Sequence, residues 1–286
     1  MIRDNSESVI LFLLDGTPTG RIKCSIDGTL TVVFKINKDD LELCKDREEL
    51  KQAGIYFLFG GTIDKSVKDV VYIGQARVRS NGEGLLYRLQ EHKRNPEKDY
   101  WNEAIAITVK DNSLGETELC YLENYFCTLA QQTNRYIVKN NNTPNCGNIS
   151  EEKKRALNKI INQIELIMGC LNYKVFVPLK EDNGNKFFLN RFNRKAGVTA
   201  SAMGQPTRDG FVVLKGSYIV SEEMKAIPEK VRQMRSVANI NKDRILQEDV
   251  LFSSPSYAAA FVIGGSANGL TEWKTKEGIP LKQFES

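Results

Sequence analysis

Two tyrosines in strand-like runs could take part in acid–base chemistry. Tyr56 lies in the run GIYFLF and Tyr72 in the run VVYIGQA, and both runs have the apolar character of β-strands. Side chains alternate along a strand, so Tyr56 faces away from Ile55, and Tyr72 shares a face with Gly74. If the two strands pair as a hairpin, the two phenols converge on one side. A lone aromatic residue in a strand is more often part of a core, so this pattern leaves both roles open.

Arg88 and His92 follow in the stretch EGLLYRLQEHKR, which has helical periodicity. They are four residues apart and share one face of the helix, while Leu85 and Leu89 can hold the helix against a sheet. His92 is the only histidine in the chain. A guanidinium and an imidazole on an exposed helix are commonly just solvated, so this pair is only suggestive.

Glu123 lies on or beside the apolar stripe of the helix predicted for GETELCYLENYFCTLAQQT. It stands four residues after Leu119 and three before Phe126. A carboxylate there must pair with a cation, ligate a metal or line a cleft, because burying it alone is costly. The sequence gives equal weight to a salt bridge with a neighbouring Arg or Lys. Asn134 follows about three turns later, on nearly the same side if the helix extends that far.

The elements that must position these side chains fall into three segments. Residues 1–50 form a β-rich segment with three strands, SVILFLLDG, GRIKCSIDG and LTVVFKIN, and a charged helix in DDLELCKDREELKQA. Residues 51–175 contain the two tyrosine strands, a third strand in EAIAITVK, and helices, the last of which starts at Ser150. From about Tyr173 the sequence returns to strands, the first being YKVFVPL, and residues 176–286 form a further domain. We therefore expect an α+β fold.

Composition excludes some classes of protein. The chain has 41% hydrophobic and 27% charged residues, a net charge of +4 and a pI near 8.6. This balance is compatible with an anionic partner but is not evidence for one. No apolar run approaches the roughly 20 residues that cross a bilayer, and the polar start MIRDNSES shows no secretory signal, so we expect a cytoplasmic protein. Six scattered cysteines without a C-x-x-C pair argue against a zinc site.

Over about residues 53–136 the chain resembles the GIY-YIG nuclease superfamily. The five sequence blocks of that superfamily stand here, in order, as GIY, YIG, Arg88 with His92, Glu123 and Asn134. The resemblance implies a small, mainly antiparallel β-sheet flanked by helices, with one active site for metal-dependent hydrolysis of phosphodiester bonds. The chain departs from the family in a long connection between the two tripeptides and at Gln75, where a lysine often stands.

The resemblance also implies roles for the site residues. Glu123 would be the ligand of one Mg²⁺ or Mn²⁺ ion, because a hard carboxylate oxygen suits such ions. Arg88 would stabilise the charge that develops on the scissile phosphate. Tyr56 would activate the attacking water, its phenol acidified by the metal and the nearby cation. Tyr72 and His92 would position water or phosphate oxygens, or share the proton transfer.

Two further residues would have structural roles. Asn134 would hold the site together by hydrogen bonding, and Gly74 would let backbone approach closely.

DNA is the expected partner, and RNA stays open because the chemistry of phosphodiester hydrolysis does not depend on whether the sugar is deoxyribose or ribose. A single active site cuts one strand, so double-strand cleavage needs a homodimer or successive nicks. The competing interpretation is a catalytically silent GIY-YIG module that binds nucleic acid or protein, although retention of every block residue argues against it.

Over about residues 178–286 the chain resembles a domain of unknown function (DUF) that commonly follows GIY-YIG domains in bacterial proteins. This resemblance rests on GFVVLKGS, FSSPSYAA and GSANGLTEWK. Lys215, Trp273 and Lys274 are candidate nucleic-acid-binding residues, because an exposed Trp beside Lys suits base stacking and phosphate contact. The favoured alternative for Trp273 is a place in the core of this domain. Recognition of the substrate by this domain is a hypothesis motivated by its pairing with a nuclease.

Overall fold

The structure is a computed structural model that describes most of the chain, in the ranges 6–61, 68–141, 149–180 and 184–284. Its internal contacts divide the chain into two compact units, Met1–Val177 and Pro178–Ser286. The architecture is mixed α+β, as predicted, with a seven-stranded sheet and a separate four-stranded sheet. None of the helices in the described ranges is both long and apolar enough to cross a membrane.

The first unit is built on the larger sheet. Its strands are β1 Val9–Leu13, β2 Ile22–Ile26, β3 Thr31–Asn37, β4 Gly54–Gly60, β5 Val70–Ala76, β6 Glu103–Val109 and β7 Ile137–Val138. They lie in the order β1-β2-β3-β6-β4-β5-β7, and every neighbouring pair is antiparallel except the parallel pair β5 and β7. Because β3 pairs with β6 along its whole length, the strands of residues 1–50 belong to the same sheet as the GIY and YIG strands.

Helices cover both faces of this sheet: α1 Leu85–Arg94 on one face, and α2 Glu116–Thr133 with α3 Glu151–Cys170 on the other. Leu85 and Leu89 of α1 are fully buried against the sheet, as predicted. The predicted start of α3 is confirmed, because the Ser150 side chain accepts a hydrogen bond from the backbone N–H of Lys153.

The charged segment before the GIY strand does not form the predicted helix. It forms two short 3₁₀-helices, Lys38–Cys44 and Glu48–Lys51. Its buried side chains, Leu41, Cys44 and Leu50, are spaced by multiples of three. That spacing suits the three residues per turn of a 3₁₀-helix better than the longer turn of an α-helix.

The strand predicted in YKVFVPL is also wrong. This segment has no strand pairing, and Tyr173, Val175 and Phe176 instead pack into the core of the first unit. The ring of Tyr173 lies 4.3 Å from that of Phe59, and the Val175 carbonyl accepts a hydrogen bond from the Thr133 hydroxyl at 2.6 Å. The connection GTIDKSVK and the loop KNNNTPNCGNIS lie partly outside the described residues.

The second unit is built on the smaller, antiparallel sheet. Its strands are β8 Phe187–Asn193, β9 Val198–Thr207, β10 Gly210–Val213 and β11 Val250–Phe252, and its helices are α4 Glu229–Val237, α5 Pro255–Ile263 and α6 Gly269–Glu272. The strands lie in the order β11-β10-β9-β8. Helix α5 is largely buried and apolar, and it is capped by Ser254, whose side chain accepts a hydrogen bond from the Tyr257 N–H.

Candidate active site

The two tyrosines meet on one face of the sheet, as predicted. Strands β4 and β5 pair antiparallel, with Tyr56 opposite Gly74 and Leu58 opposite Tyr72. The centres of the two phenol rings are 6.3 Å apart. The partner strand β7 pairs only with the start of β5, at Val70 and Val71. Within the described residues, the end of β5 that follows is therefore an edge of the sheet, and the site forms around it.

Gly74 makes room for the ring of Tyr56. A Cβ atom at residue 74 would lie 2.4 Å from the hydroxyl oxygen of Tyr56 and 2.5 Å from its Cζ. The glycine of the YIG motif therefore accommodates the tyrosine of the GIY motif. The close approach predicted at Gly74 exists, but it is made by a side chain and not by backbone.

Helix α1 brings His92 to the two phenols. His92 Nε2 and the Tyr56 hydroxyl share a hydrogen bond of 2.6 Å, and the imidazole centre is 5.3 Å from the centre of each phenol ring. His92 is only 3% exposed, so it does not lie on a solvated helix surface. Desolvation, aided by the charges of Lys98 and Arg88, lowers the pKa of His92 to about 3. The imidazole is therefore neutral at neutral pH, and one of its ring nitrogens can accept a hydrogen bond.

Both phenols hold their protons in this environment. Burial raises the pKa of Tyr56 and of Tyr72 above the ordinary value, and the negative charge of Glu123 adds to both shifts. Arg88 acts in the opposite direction on both phenols but does not outweigh burial. The protein alone therefore does not acidify Tyr56. A phenol in this state can take a proton from water only as its own proton leaves, and for Tyr56 the hydrogen-bonded acceptor is His92.

Two cations stand beside the phenols. Arg88 is partly exposed, and its guanidinium forms an ion pair of 2.8 Å with Glu91. Lys98 ends a short 3₁₀-helix, Pro96–Lys98, and its ammonium lies 4.1 Å from the centre of the Tyr72 ring. No carboxylate of the described residues lies within ion-pair distance of Lys98, and burial with the charge of Arg88 lowers its pKa. Lys98 was not predicted, because nothing in the sequence separates it from the other basic residues nearby.

Glu123 lies on the buried stripe of α2, as predicted, and is only 8% exposed. Its Oε2 accepts a hydrogen bond of 2.8 Å from Nε2 of Gln75. No Arg or Lys in the described part of the chain lies within ion-pair distance, so the salt-bridge alternative fails for those residues. Burial raises the pKa of Glu123, while the Gln75 hydrogen bond and the charges of Arg77 and Arg88 partly offset this rise.

Glu123 reaches the cluster around the edge of β5. Helix α2 packs on the face opposite α1, and Gly74 and Gln75 point to opposite faces because they are adjacent on a strand. The charge of the carboxylate nevertheless raises the pKa of Tyr72, and the charge of Arg88 lowers that of Glu123. The carboxylate on one face of the sheet is thus electrostatically coupled to the phenol and the cation on the other.

The donor set suits a single hard cation. No group of three or more His, Cys, Asp or Glu side chains in the described ranges could hold a metal ion. Glu123 supplies a carboxylate oxygen, the ligand type that Mg²⁺ and Mn²⁺ prefer, and no Arg or Lys of the described residues forms an ion pair with it. Mg²⁺ commonly binds through one or two carboxylates, substrate phosphates and several waters. The residues present fit an ion of this kind.

Asn134 is not brought to the site. It ends α2 as a left-handed C-cap with φ 51°, about 16 Å along the helix axis from Glu123, and its amide oxygen accepts from Lys68 at 3.0 Å. The amide that clamps β5 belongs to Asn140, whose Oδ1 accepts from the Ile73 N–H at 3.0 Å and whose Nδ2 donates to the Ile73 carbonyl at 2.6 Å. Asn140 was missed because it is the first of three consecutive asparagines, which the sequence does not distinguish.

The second unit corrects the prediction for Trp273. This side chain is 0% exposed, its ring lies 4.7 Å from that of Phe211, and its Nε1–H donates to the Pro255 carbonyl at 3.0 Å. Trp273 therefore belongs to the core and cannot stack on a base. Lys215 and Lys274 are exposed, but Lys215 follows β10 whereas Lys274 pairs beside β8, so strand β9 separates their positions.

Comparison with known proteins assigns only the C-terminal part of the chain. No curated protein and no solved structure matches. No GIY-YIG family match was found, so the nuclease interpretation of the first unit rests on its residues and geometry. A family model described as "Domain of unknown function (DUF4357)" matches residues 192–285, a range that begins in β8 and lies within the second unit. The chain therefore carries a C-terminal DUF4357 domain.

Proposed function

We propose that the first unit is a GIY-YIG nuclease domain that hydrolyses phosphodiester bonds of DNA with the help of one divalent cation. The observation that carries the proposal is the buried carboxylate of Glu123, which has no cationic partner among the described residues. A purely structural role would leave its charge uncompensated, which is unfavourable. A bound cation would supply the missing positive charge.

Different side chains would bind the cation and the phosphate. Glu123 would hold the Mg²⁺ or Mn²⁺ ion, which when bound polarises the phosphate. Arg88 and Lys98 would bind the phosphate oxygens and stabilise the charge that develops as the water attacks. Lys98 suits this task because its ammonium has no carboxylate partner in the described part of the chain. Binding of the phosphate would give that charge a partner.

The proton would travel through the Tyr56–His92 hydrogen bond. As the attacking water forms its bond to phosphorus, one of its protons moves to the Tyr56 oxygen, and the Tyr56 proton moves to Nε2 of neutral His92. The hydroxide becomes bonded to phosphorus as the bond between phosphorus and the leaving oxygen breaks. The leaving oxygen takes a proton from solvent water, His92 returns its proton to solvent, and the phenol stays neutral. Tyr56 is 1% exposed whereas Tyr72 is half-buried, so the water would approach past Tyr72.

The DUF4357 domain would contribute to the choice of substrate. Exposed Lys215 and Lys274 would contribute by holding the DNA backbone, a contact that lysine side chains make without regard to sequence. Replacing both by alanine in the full chain should weaken DNA retention at low salt and flatten its salt dependence. Retention with an unchanged salt dependence would remove these two residues from the interface.

Cleavage of supercoiled plasmid in Mg²⁺ or Mn²⁺ tests the proposal. Arg88→Ala should abolish nicking, whereas Arg79→Ala should not, although both arginines pair with Glu91. Cleavage of labelled single-stranded DNA and RNA of the same sequence, tested in parallel, shows which of the two nucleic acids is the substrate. A 2′,3′-cyclic phosphate on cleaved RNA would contradict the DNA assignment. DNA retention without any cleavage by the native chain would favour the silent binding module instead.

A further inference from the structure

Among the described residues, only one of the two polar atoms of the Gln75 side-chain amide has a hydrogen-bond partner. Its Nε2 donates to Glu123 Oε2 at 2.8 Å. Its Oε1 is buried and accepts no hydrogen bond from the described residues. A buried amide oxygen without a partner is unfavourable. Turning the amide around would not help in the bare protein, because it would set the amide oxygen against the carboxylate oxygen.

We infer that Gln75 is a second protein ligand of the divalent cation that the proposed function places at Glu123. A cation between the two side chains reverses the preference of the amide, because it attracts both oxygens. The inference rests on the proposed function for the presence of the cation, and on the unpartnered Gln75 oxygen for the ligand.

The observed distance suits this arrangement. With metal–oxygen bonds of about 2.1 Å, two ligands at a right angle around Mg²⁺ are about 3.0 Å apart. Gln75 Nε2 and Glu123 Oε2 are 2.8 Å apart. The nitrogen and oxygen of an amide have nearly the same size, so a half-turn of the amide puts Oε1 where Nε2 lies now. Little movement of either backbone is needed, since Gln75 lies in β5 and Glu123 in α2.

The freed amide nitrogen would then face the position that Oε1 now occupies. That position is buried, so the nitrogen would donate there to a water bound to the cation. Gln75 adds an oxygen without adding charge, so the cation keeps a net positive charge for the phosphate. A lysine at this position could hold Glu123 by donating to it but could not ligate the cation.

The test is Mn²⁺ binding by the full chain without nucleic acid, measured by the loss of the free-ion signal in electron paramagnetic resonance. Gln75→Leu and Gln75→Lys should each weaken binding by about 10-fold or more, and Glu123→Gln should abolish it. Gln90→Leu is the matched control, because Gln90 also donates to a glutamate, Glu42, at 3.1 Å. Binding by that variant should be unchanged.

The outcomes separate the ligand role from a positioning role and from the proposed function itself. Gln75→Lys keeps a hydrogen-bond donor for Glu123, so native Mn²⁺ affinity in this variant would overturn the ligand role. A Mn²⁺-soaked crystal gives the same decision directly: the anomalous peak should lie within about 2.2 Å of Gln75 Oε1. A peak at Glu123 with the amide nitrogen still facing the carboxylate would leave the nuclease proposal standing without this ligand. Absence of Mn²⁺ binding by the native chain would overturn both.

Discussion

Replacing Gly74 by alanine tests whether the GIY and YIG motifs pack as one unit. The added Cβ would lie 2.4, 2.5 and 3.0 Å from the hydroxyl oxygen, Cζ and Cε2 of Tyr56. All three distances are shorter than van der Waals contact. Tyr56 is 1% exposed and packs against His92, so its ring has no free space to enter. We expect the ring to shift and its 2.6 Å hydrogen bond to His92 to break.

The expected cost follows from these two effects. Overpacking a core position costs about 1–3 kcal/mol, and losing a buried hydrogen bond costs about 1 kcal/mol more. The unfolding free energy of the first unit should therefore fall by about 2–4 kcal/mol. Native-state hydrogen exchange measures this, since about 2 kcal/mol makes the slowest amides of β4 and β5 exchange about 30-fold faster. Strands β8 and β9 of the second unit serve as the internal reference and should not change.

A control and a double mutant make the prediction refutable. Gly169→Ala adds a Cβ that meets no atom within 4 Å in α3, so this variant should gain about 0.5–1 kcal/mol. In a Tyr56→Ala background, the ring is gone and Gly74→Ala should cost little. Native exchange rates in Gly74→Ala would refute the reasoning, and so would a cost that persists without the ring.

Three other substitutions give distinct expected results. Burial lowers the pKa of His92 from about 6.5 in the unfolded chain to about 3 in the folded protein, so acid favours the unfolded chain. Between pH 7 and pH 5 the free energy of unfolding, measured by urea denaturation, should therefore fall by about 2 kcal/mol more for the native protein than for His92→Gln. Equal losses would contradict this. Lys98→Gln should slow cleavage by about 100-fold and raise the pKa of His92 measured by NMR; an unchanged His92 pKa would contradict the role of this charge. Trp273→Ala should destabilise the second unit by about 3–5 kcal/mol, and a stable variant with weakened DNA retention would contradict its core position.

Local patterns in the sequence predicted the scaffold of the site. The alternation of side chains along GIYFLF and VVYIGQA predicted which face of each strand carries Tyr56 and Tyr72. The pairing of β4 with β5 confirms that the two phenols converge. The apolar stripe of α2 gave the burial of Glu123. These predictions succeeded because the period of a strand or helix decides which face a side chain occupies.

Contacts between distant segments could not be predicted in this way. Gln75 meets Glu123 across 48 positions, and Asn140 clamps Ile73 across 67 positions. The residues that flank Gln75 and Asn140 in the sequence do not indicate which distant residue each side chain hydrogen-bonds. The same limit explains the error in YKVFVPL, where Tyr173 and Val175 are buried against the first unit's core and do not pair in a sheet.

Metal-dependent nicking of supercoiled plasmid by Glu123→Gln tests the central claim most directly. Glu165→Gln is the matched control, because Glu165 is also partly buried in the first unit, accepts from the Tyr125 hydroxyl at 3.3 Å, and has a pKa raised by burial. Both substitutions remove one carboxylate charge and keep the shape of the side chain. We predict that the native chain and Glu165→Gln nick the plasmid in Mg²⁺ and stop in chelator, while Glu123→Gln is at least about 100-fold slower. Nicking by Glu123→Gln at the native rate would contradict the assignment of Glu123 as the metal-binding carboxylate.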